Sequence, residues 1–177
     1  MPADFLEKIV EHKRGLLKTK KAFFAVLKKK LKKEKVSRYG LFKKAIAKPG
    51  QINLIAEIKK ASPSAGIIRP SFNPLQIAKA YAESGAAAFS ILTEEKFFQG
   101  TPFYMKKVGG EFNLPILAKD FFIDEVQIYE AFYNGAGAVL LIAAILTDKD
   151  LKHLMKVAAD LDIDTLVEVH NEEELSR

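Results

Sequence analysis

The chain has 177 residues, is 49% hydrophobic and carries a formal net charge of +6, which fits one globular domain and excludes a disordered or fibrous chain. It has no cysteine, so disulfides, thiolate metal sites and a cysteine nucleophile are ruled out, and no pair of its three histidines suggests zinc. No apolar run approaches the roughly 20 residues of a spanning helix, and Met1 to Val10 mix charged with apolar groups unlike a secretory leader, so a cytoplasmic protein without a membrane partner is expected.

Charge is unevenly placed. Residues 1–50 hold 16 Lys/Arg against 4 Asp/Glu, and residues 51–177 hold 12 against 18. In the basic part, Phe5, Leu6, Ile9 and Val10 make one apolar stripe. Phe23, Phe24, Val26, Leu27 and Leu31 make a second, and Leu41, Phe42, Ala45 and Ile46 a third. Residues 4–47 therefore read as two or three helices, forming an N-terminal helical extension over residues 1–50. The clusters Lys28-Lys29-Lys30 and Lys32-Lys33 have three readings: a nucleic-acid patch, a solvated helix face, or a surface that concentrates an anionic substrate. The solvated face is preferred, and no nucleic-acid partner is expected. Lys48-Pro49-Gly50 ends the segment, since proline disfavours helical geometry before it and glycine permits a turn.

From Asn53 onward, short apolar runs alternate with amphipathic stretches. Five strands are predicted: Leu54 to Ile58, Ala88 to Leu92, Ile116 to Ala118, Ala138 to Ile142, and Thr165 to Val169. Helical spacing falls near residues 74–84, 102–109, 124–134 and 148–160. Strand–helix alternation implies a parallel sheet with right-handed crossovers. Two joints repeat, Ser84-Gly85-Ala86-Ala87-Ala88 and Asn134-Gly135-Ala136-Gly137-Ala138, each placing glycine where a helix ends and a buried strand begins. The expected fold is α/β, a (β/α)₈ barrel represented by its first five βα units over residues 51–177. A doubly wound open sheet is the rival, disfavoured because neither nucleotide-binding glycine fingerprint follows the first strand.

In either architecture, chemistry belongs at the C-terminal ends of the strands. Glu57 and Lys59 are two apart on strand one and share a face. Strand three ends in Lys119-Asp120-Phe121 and strand five in Glu168-Val169-His170. Two lysines and two glutamates at one barrel mouth suit acid–base work on a carboxylate- or phosphate-bearing substrate. A Schiff-base lysine remains an open reading, as does a structural ion pair for Glu57 and Lys59. The stretch Ala61-Ser62-Pro63-Ser64-Ala65-Gly66 reads as a mobile loop or a simple turn. Asp120 is expected to support Lys119 or cap the following turn, and the three histidines to be solvated or capping residues.

These residues resemble a known family. Ala56-Glu57-Ile58-Lys59-Lys60-Ala61-Ser62-Pro63-Ser64, Ser90-Ile91-Leu92-Thr93-Glu94 with Phe97-Phe98, Lys119-Asp120-Phe121-Phe122-Ile123-Asp124 and Leu166-Val167-Glu168-Val169-His170 are similar to indole-3-glycerol phosphate synthases. The resemblance runs the length of the chain and implies a barrel enzyme of tryptophan biosynthesis that needs no cofactor. Such enzymes close and decarboxylate 1-(2-carboxyphenylamino)-1-deoxyribulose 5-phosphate. By resemblance, Lys119 is the general acid, and Lys59 holds an anionic group or shares the acid role. Glu168 works with Lys119 towards dehydration, and Glu57 stabilises a cationic intermediate and orients Lys59. Ser62, Phe98 and Phe121 match substrate-pocket positions, Phe98 as an aromatic wall for the anthranilate ring.

The chain departs from the family pattern by stopping at Glu174-Leu175-Ser176-Arg177, before the family's strands six to eight and their phosphate-holding amides. A truncated chain, a split enzyme completed by a C-terminal barrel chain, and a non-catalytic association module are the readings, in that order, and another phosphate-handling barrel enzyme is the fallback for the activity. Residues 1–177 alone are expected to show little or no turnover, and uncovered sheet edges to favour self-association.

Overall fold

The computed structural model describes residues 3–31 and 37–177; the predicted lysine pair Lys32-Lys33 lies outside the described residues. Three helices come first: α1 (Ala3–Thr19), α2 (Lys21–Leu31) and α3 (Leu41–Ile46). The apolar stripes overstate their buried faces. Ile9, Phe24, Leu27, Leu31 and Phe42 are buried, whereas Phe23, Val26 and Leu41 are exposed, because these helices present only one narrow side to the rest of the chain.

The strands of the main sheet are β1 (Ile55–Ile58), β4 (Ala88–Leu92), β5 (Ile116–Lys119), β6 (Ala138–Ile142) and β7 (Asp164–Glu168). All neighbours are parallel, in the order β1-β4-β5-β6-β7. Each strand lies beside its predecessor and the order never reverses, which is incompatible with a doubly wound switch point. Helices α4 (Pro74–Glu83), α5 (Phe103–Glu111), α6 (Glu125–Tyr133) and α7 (Asp148–Asp160) make the crossovers, and α8 (Glu172–Leu175) follows β7. Two features escaped prediction: a hairpin of two-residue strands, β2 (Ala61–Ser62) and β3 (Gly66–Ile67), and a 3₁₀ turn at Ala143–Ile145. Both are too short to display a periodicity.

Helix boundaries follow local chemistry. Asn73 caps α4 by accepting from the Leu75 and Gln76 amides, with Pro74 in the first turn. Asp124 and Gln127 form a capping box on α6. The repeated joints behave alike, with Gly85 at φ 83° and Gly135 at φ 99°, a region that side chains with a Cβ rarely occupy.

Side-chain parity divides the sheet. Ala56, Ile58, Phe89, Ile91, Ile116, Ala118, Val139 and Leu141 pack under the helices in one core. Alternate residues Ala88, Leu92, Leu117, Ala138, Leu140 and Ile142 form a second core on the opposite face, joined by Ile9 and Phe42. Helix α3 closes the end where the strands begin: Asp164, first in β7, accepts from the Gly40 and Lys43 amides at 3.0 Å each. At the other end α1 contributes Ile9 to the core that also holds Phe98 and Phe121.

Helix α2 lies along α6, with Lys20 just ahead of it 3.9 Å from Glu130. Burial holds the Glu130 carboxyl above the usual carboxylate range; Lys20 pulls it down, while Glu95 and Asp120 push it further up. A raised folded value means the folded state binds this proton more tightly. The stability contribution of Glu130 is therefore greatest below its unfolded value of about 4.5 and falls as pH rises through the raised folded value. Glu130→Gln is expected to gain stability at about pH 7 and to gain little at about pH 4. Urea midpoints at the two pH values check this, and an equal shift at both would refute it.

Candidate active site

Four charged residues share the inner face at the C-terminal strand ends. Glu57 leaves β1 and Lys59 follows two residues later; Lys119 ends β5 and Glu168 ends β7. Lys59 Nζ donates to Glu57 Oε1 at 2.5 Å. Lys119 Nζ stands 4.0 Å from Glu57 Oε2 and 3.8 Å from Glu168 Oε2, so it is held between two carboxylates without a direct hydrogen bond to either. His170 lies next to this cluster, with Nε2 3.3 Å from Glu168 Oε1 and Nδ1 3.5 Å from Glu174 Oε2. All four site residues are about one-third exposed, which leaves the charges accessible to a ligand from solvent.

An apolar cleft adjoins this cluster. Phe98 and Phe121 are both buried, with ring centroids 6.0 Å apart, and together with Leu92 and Leu140 they line a space that Lys119 and Glu168 border. A second cleft, lined by Glu57, Ser90, Leu117 and Leu166, shares Lys119, Leu140 and Glu168 with the first. Lys119 thus borders both an aromatic compartment and a second one whose floor is aliphatic and whose wall carries Glu57 and Ser90.

Of the residues singled out from sequence, the fold brings together Glu57, Lys59, Lys119, Glu168, Phe98 and Phe121. Ser62 lines neither cleft; it sits on the β2–β3 hairpin, where its Oγ accepts from the Ala65 amide at 3.2 Å and sits 3.4 Å from Ser64 Oγ. Asp120 caps the turn, accepting from the Phe121 amide at 2.7 Å and from Thr93 Oγ1 at 2.8 Å. It also pairs with Lys13 of α1 at 2.6 Å, with the two side chains only 8% and 9% exposed.

Sequence reasoning missed four contributors. Leu6 of α1 and His170 both line the aromatic cleft. Glu94 is wholly buried, and its carboxylate accepts from the amides of Lys96, Phe97 and Phe98, which fixes the turn carrying the aromatic wall. Lys13 anchors α1 beside Lys119 through Asp120. The signal for Glu94 was its place after a continuous apolar strand; Leu6 and Lys13 fall within the family resemblance but were given no site role, because their contacts are made across the fold. His12 and Phe97 pack at right angles with ring centroids 5.8 Å apart, and His153 pairs with Glu125 at 3.3 Å. Among the described residues, no group of three His, Asp or Glu side chains could hold a metal ion, and no helix is long and apolar enough to cross a membrane.

Comparison with known proteins adds to this geometry. A family model described as indole-3-glycerol phosphate synthase matches residues 6–177. The indole-3-glycerol phosphate synthase of Petrotoga mobilis is 45% identical over 173 residues, covering 98% of this chain and 62% of that protein. That of Carboxydothermus hydrogenoformans is 45% identical over 183 residues, covering 98% and 68%. That of Prochlorococcus marinus is 55% identical over 130 residues, covering 73% and 43%. The chain therefore spans 62% of the length of the Petrotoga relative.

Removing one partner from a buried ion pair strands the other charge. Lys13→Met is expected to destabilise the fold by about 3–5 kcal/mol, read from the denaturant midpoint. A loss below about 1 kcal/mol, the size of a surface pair, would show that the contact does not hold α1 in place.

Proposed function

Since the chain belongs to the indole-3-glycerol phosphate synthase family, matched over residues 6–177, we propose that it carries the acid–base half of that synthase's site. In this reading its five parallel strands are the first five of an eightfold barrel, residues 51–177, preceded by a helical extension over residues 1–50. The substrate is 1-(2-carboxyphenylamino)-1-deoxyribulose 5-phosphate. Its aromatic ring would enter the compartment of Phe98 and Phe121, and its carbohydrate-derived chain the compartment beside Glu57.

The observation that carries the reading is the position of Lys119. Its ammonium is 3.8 and 4.0 Å from two carboxylates and lies at the junction of the two clefts, so its protons are available to a substrate oxygen. Lys59, in contrast, is committed to Glu57 at 2.5 Å. That difference supports Lys119 as the general acid and Lys59 as the binder of the substrate carboxylate, with Glu57 fixing its direction.

Protonation of the ketone oxygen by Lys119 makes its carbon electrophilic enough for the carboxylate-bearing ring carbon to attack. The new carbon–carbon bond forms at the expense of the ring's π electrons, and loss of CO₂ returns an electron pair to the ring. The hydroxyl then leaves as water after protonation, and a carboxylate takes the proton whose loss completes the indole. Glu168, next to Lys119 and exposed to the same space, suits that last role. Ser62, whose Oγ accepts from the Ala65 amide, keeps its hydroxyl proton to donate to a substrate oxygen.

Turnover is tested by the appearance of indole fluorescence, using this chain alone and together with a polypeptide supplying three further βα units. Lys119→Met is expected to lower kcat by about 10²–10⁴-fold, the range for losing a general acid. Lys59→Met is expected to raise KM more than it lowers kcat. Full activity of Lys119→Met, or silence of the unaltered chain in both settings, would overturn the proposal.

A further inference from the structure

Ser90 occupies the middle of β4, in register with Glu57 of β1 and Leu117 of β5. It is 4% exposed, and its Oγ is the one fully buried side-chain polar atom that finds no hydrogen-bond partner among the described residues. Parity sends this side chain to the inner face, where it lines the cleft shared by Glu57, Lys119 and Glu168. Its neighbours there are Ile55, Leu117, Leu140 and Leu166. A hydroxyl in an apolar floor is unfavourable unless something bonds to it, and an alanine would fit the same strand without that penalty.

We infer that Ser90 is a substrate-binding residue whose hydroxyl bonds a hydroxyl of the substrate's carbohydrate-derived chain; this rests on the proposed function. The aromatic compartment is walled by Phe98, Phe121, Leu6 and Leu92 and contains no hydroxyl side chain; its polar lining is Lys119, Asp120, Glu168 and His170, all ionisable. The compartment beyond Lys119 contains Ser90, which can both donate to and accept from an alcohol. The charged residues at the mouth are suited to the substrate's charged and reacting groups. Ser90, level with Glu57 and one step below Lys119 on the same face, supplies the neutral polar contact that distinguishes a hydroxylated chain from an alkyl one.

Two stable ligands test this by calorimetric titration of the full chain. One is the substrate analogue whose ketone is reduced to an alcohol, which carries a ribitol chain. The other keeps the carboxyphenylamino group and phosphate but joins them through an alkyl chain of equal length. Ser90→Ala is expected to weaken the ribitol analogue about fivefold, the effect of one neutral hydrogen bond. It should leave the alkyl analogue unchanged and should not lower the thermal midpoint of the ligand-free protein. Unchanged affinity for the ribitol analogue, or equal weakening of both ligands with a lowered midpoint, would overturn the inference. Failure of the unaltered chain to bind either ligand would overturn the functional reading itself, and this inference with it.

Discussion

Side chains on a strand point alternately to its two faces, and parallel strands in sequential order repeat that choice in register. Every second residue of β1, β4, β5, β6 and β7 is thereby delivered to one inner surface, which holds Glu57, Ser90, Lys119 and Glu168 alongside Leu117 and Leu140. The intervening residues, such as Phe89, Ile91 and Val139, are left to bind the sheet to its helices. A slip of one residue in any strand would exchange these sets, burying a charge under helices and exposing core. The large apolar load on the helix side is what makes such a slip prohibitive, so the same packing that stabilises the fold also aims the site.

The inner surface is sorted by depth. Near the strand starts it is apolar and closed by α3; near the strand ends it carries alternating charges, from Lys59 through Glu57 and Lys119 to Glu168. Each cation faces a carboxylate, which limits the cost of gathering four charges in a half-buried space. The spacing is uneven in a useful way. Glu57 and Lys59 touch, whereas Lys119 keeps a gap of nearly 4 Å on both sides, wide enough that a ligand oxygen can compete for its protons.

The N-terminal helices belong to this arrangement rather than standing beside it. Asp120 follows Lys119 directly and binds Thr93, the Phe121 amide and Lys13 at once, linking two strand ends to α1 through one buried carboxylate. Phe97 packs near right angles to Phe5 and His12, while Glu94 pins the turn from below. Helix α1 thus borders the aromatic cleft through Leu6 and restrains the loop that bears Phe98.

The sequence by itself determined the five strands, the crossover helices between them and the four charged residues at the strand ends. Runs such as Ala138 to Ile142, caps such as Asp124 with Gln127, and glycines such as Gly85 and Gly135 act over only a few residues. The family motif around Glu57, Lys59, Lys119 and Glu168 was legible for the same reason. Only the tertiary structure decided that the sheet runs in one direction without reversal, that Phe23 and Val26 face solvent, and that the Ser62 Oγ accepts within its own hairpin. It alone placed Lys59 in contact with Glu57 and Lys119 nearly 4 Å from its carboxylates, brought Leu6 and Lys13 to the site and left the Ser90 hydroxyl unpartnered in the inner floor. Those facts depend on distances between residues far apart in the chain, which follow from how helices and strands pack and which no local pattern encodes.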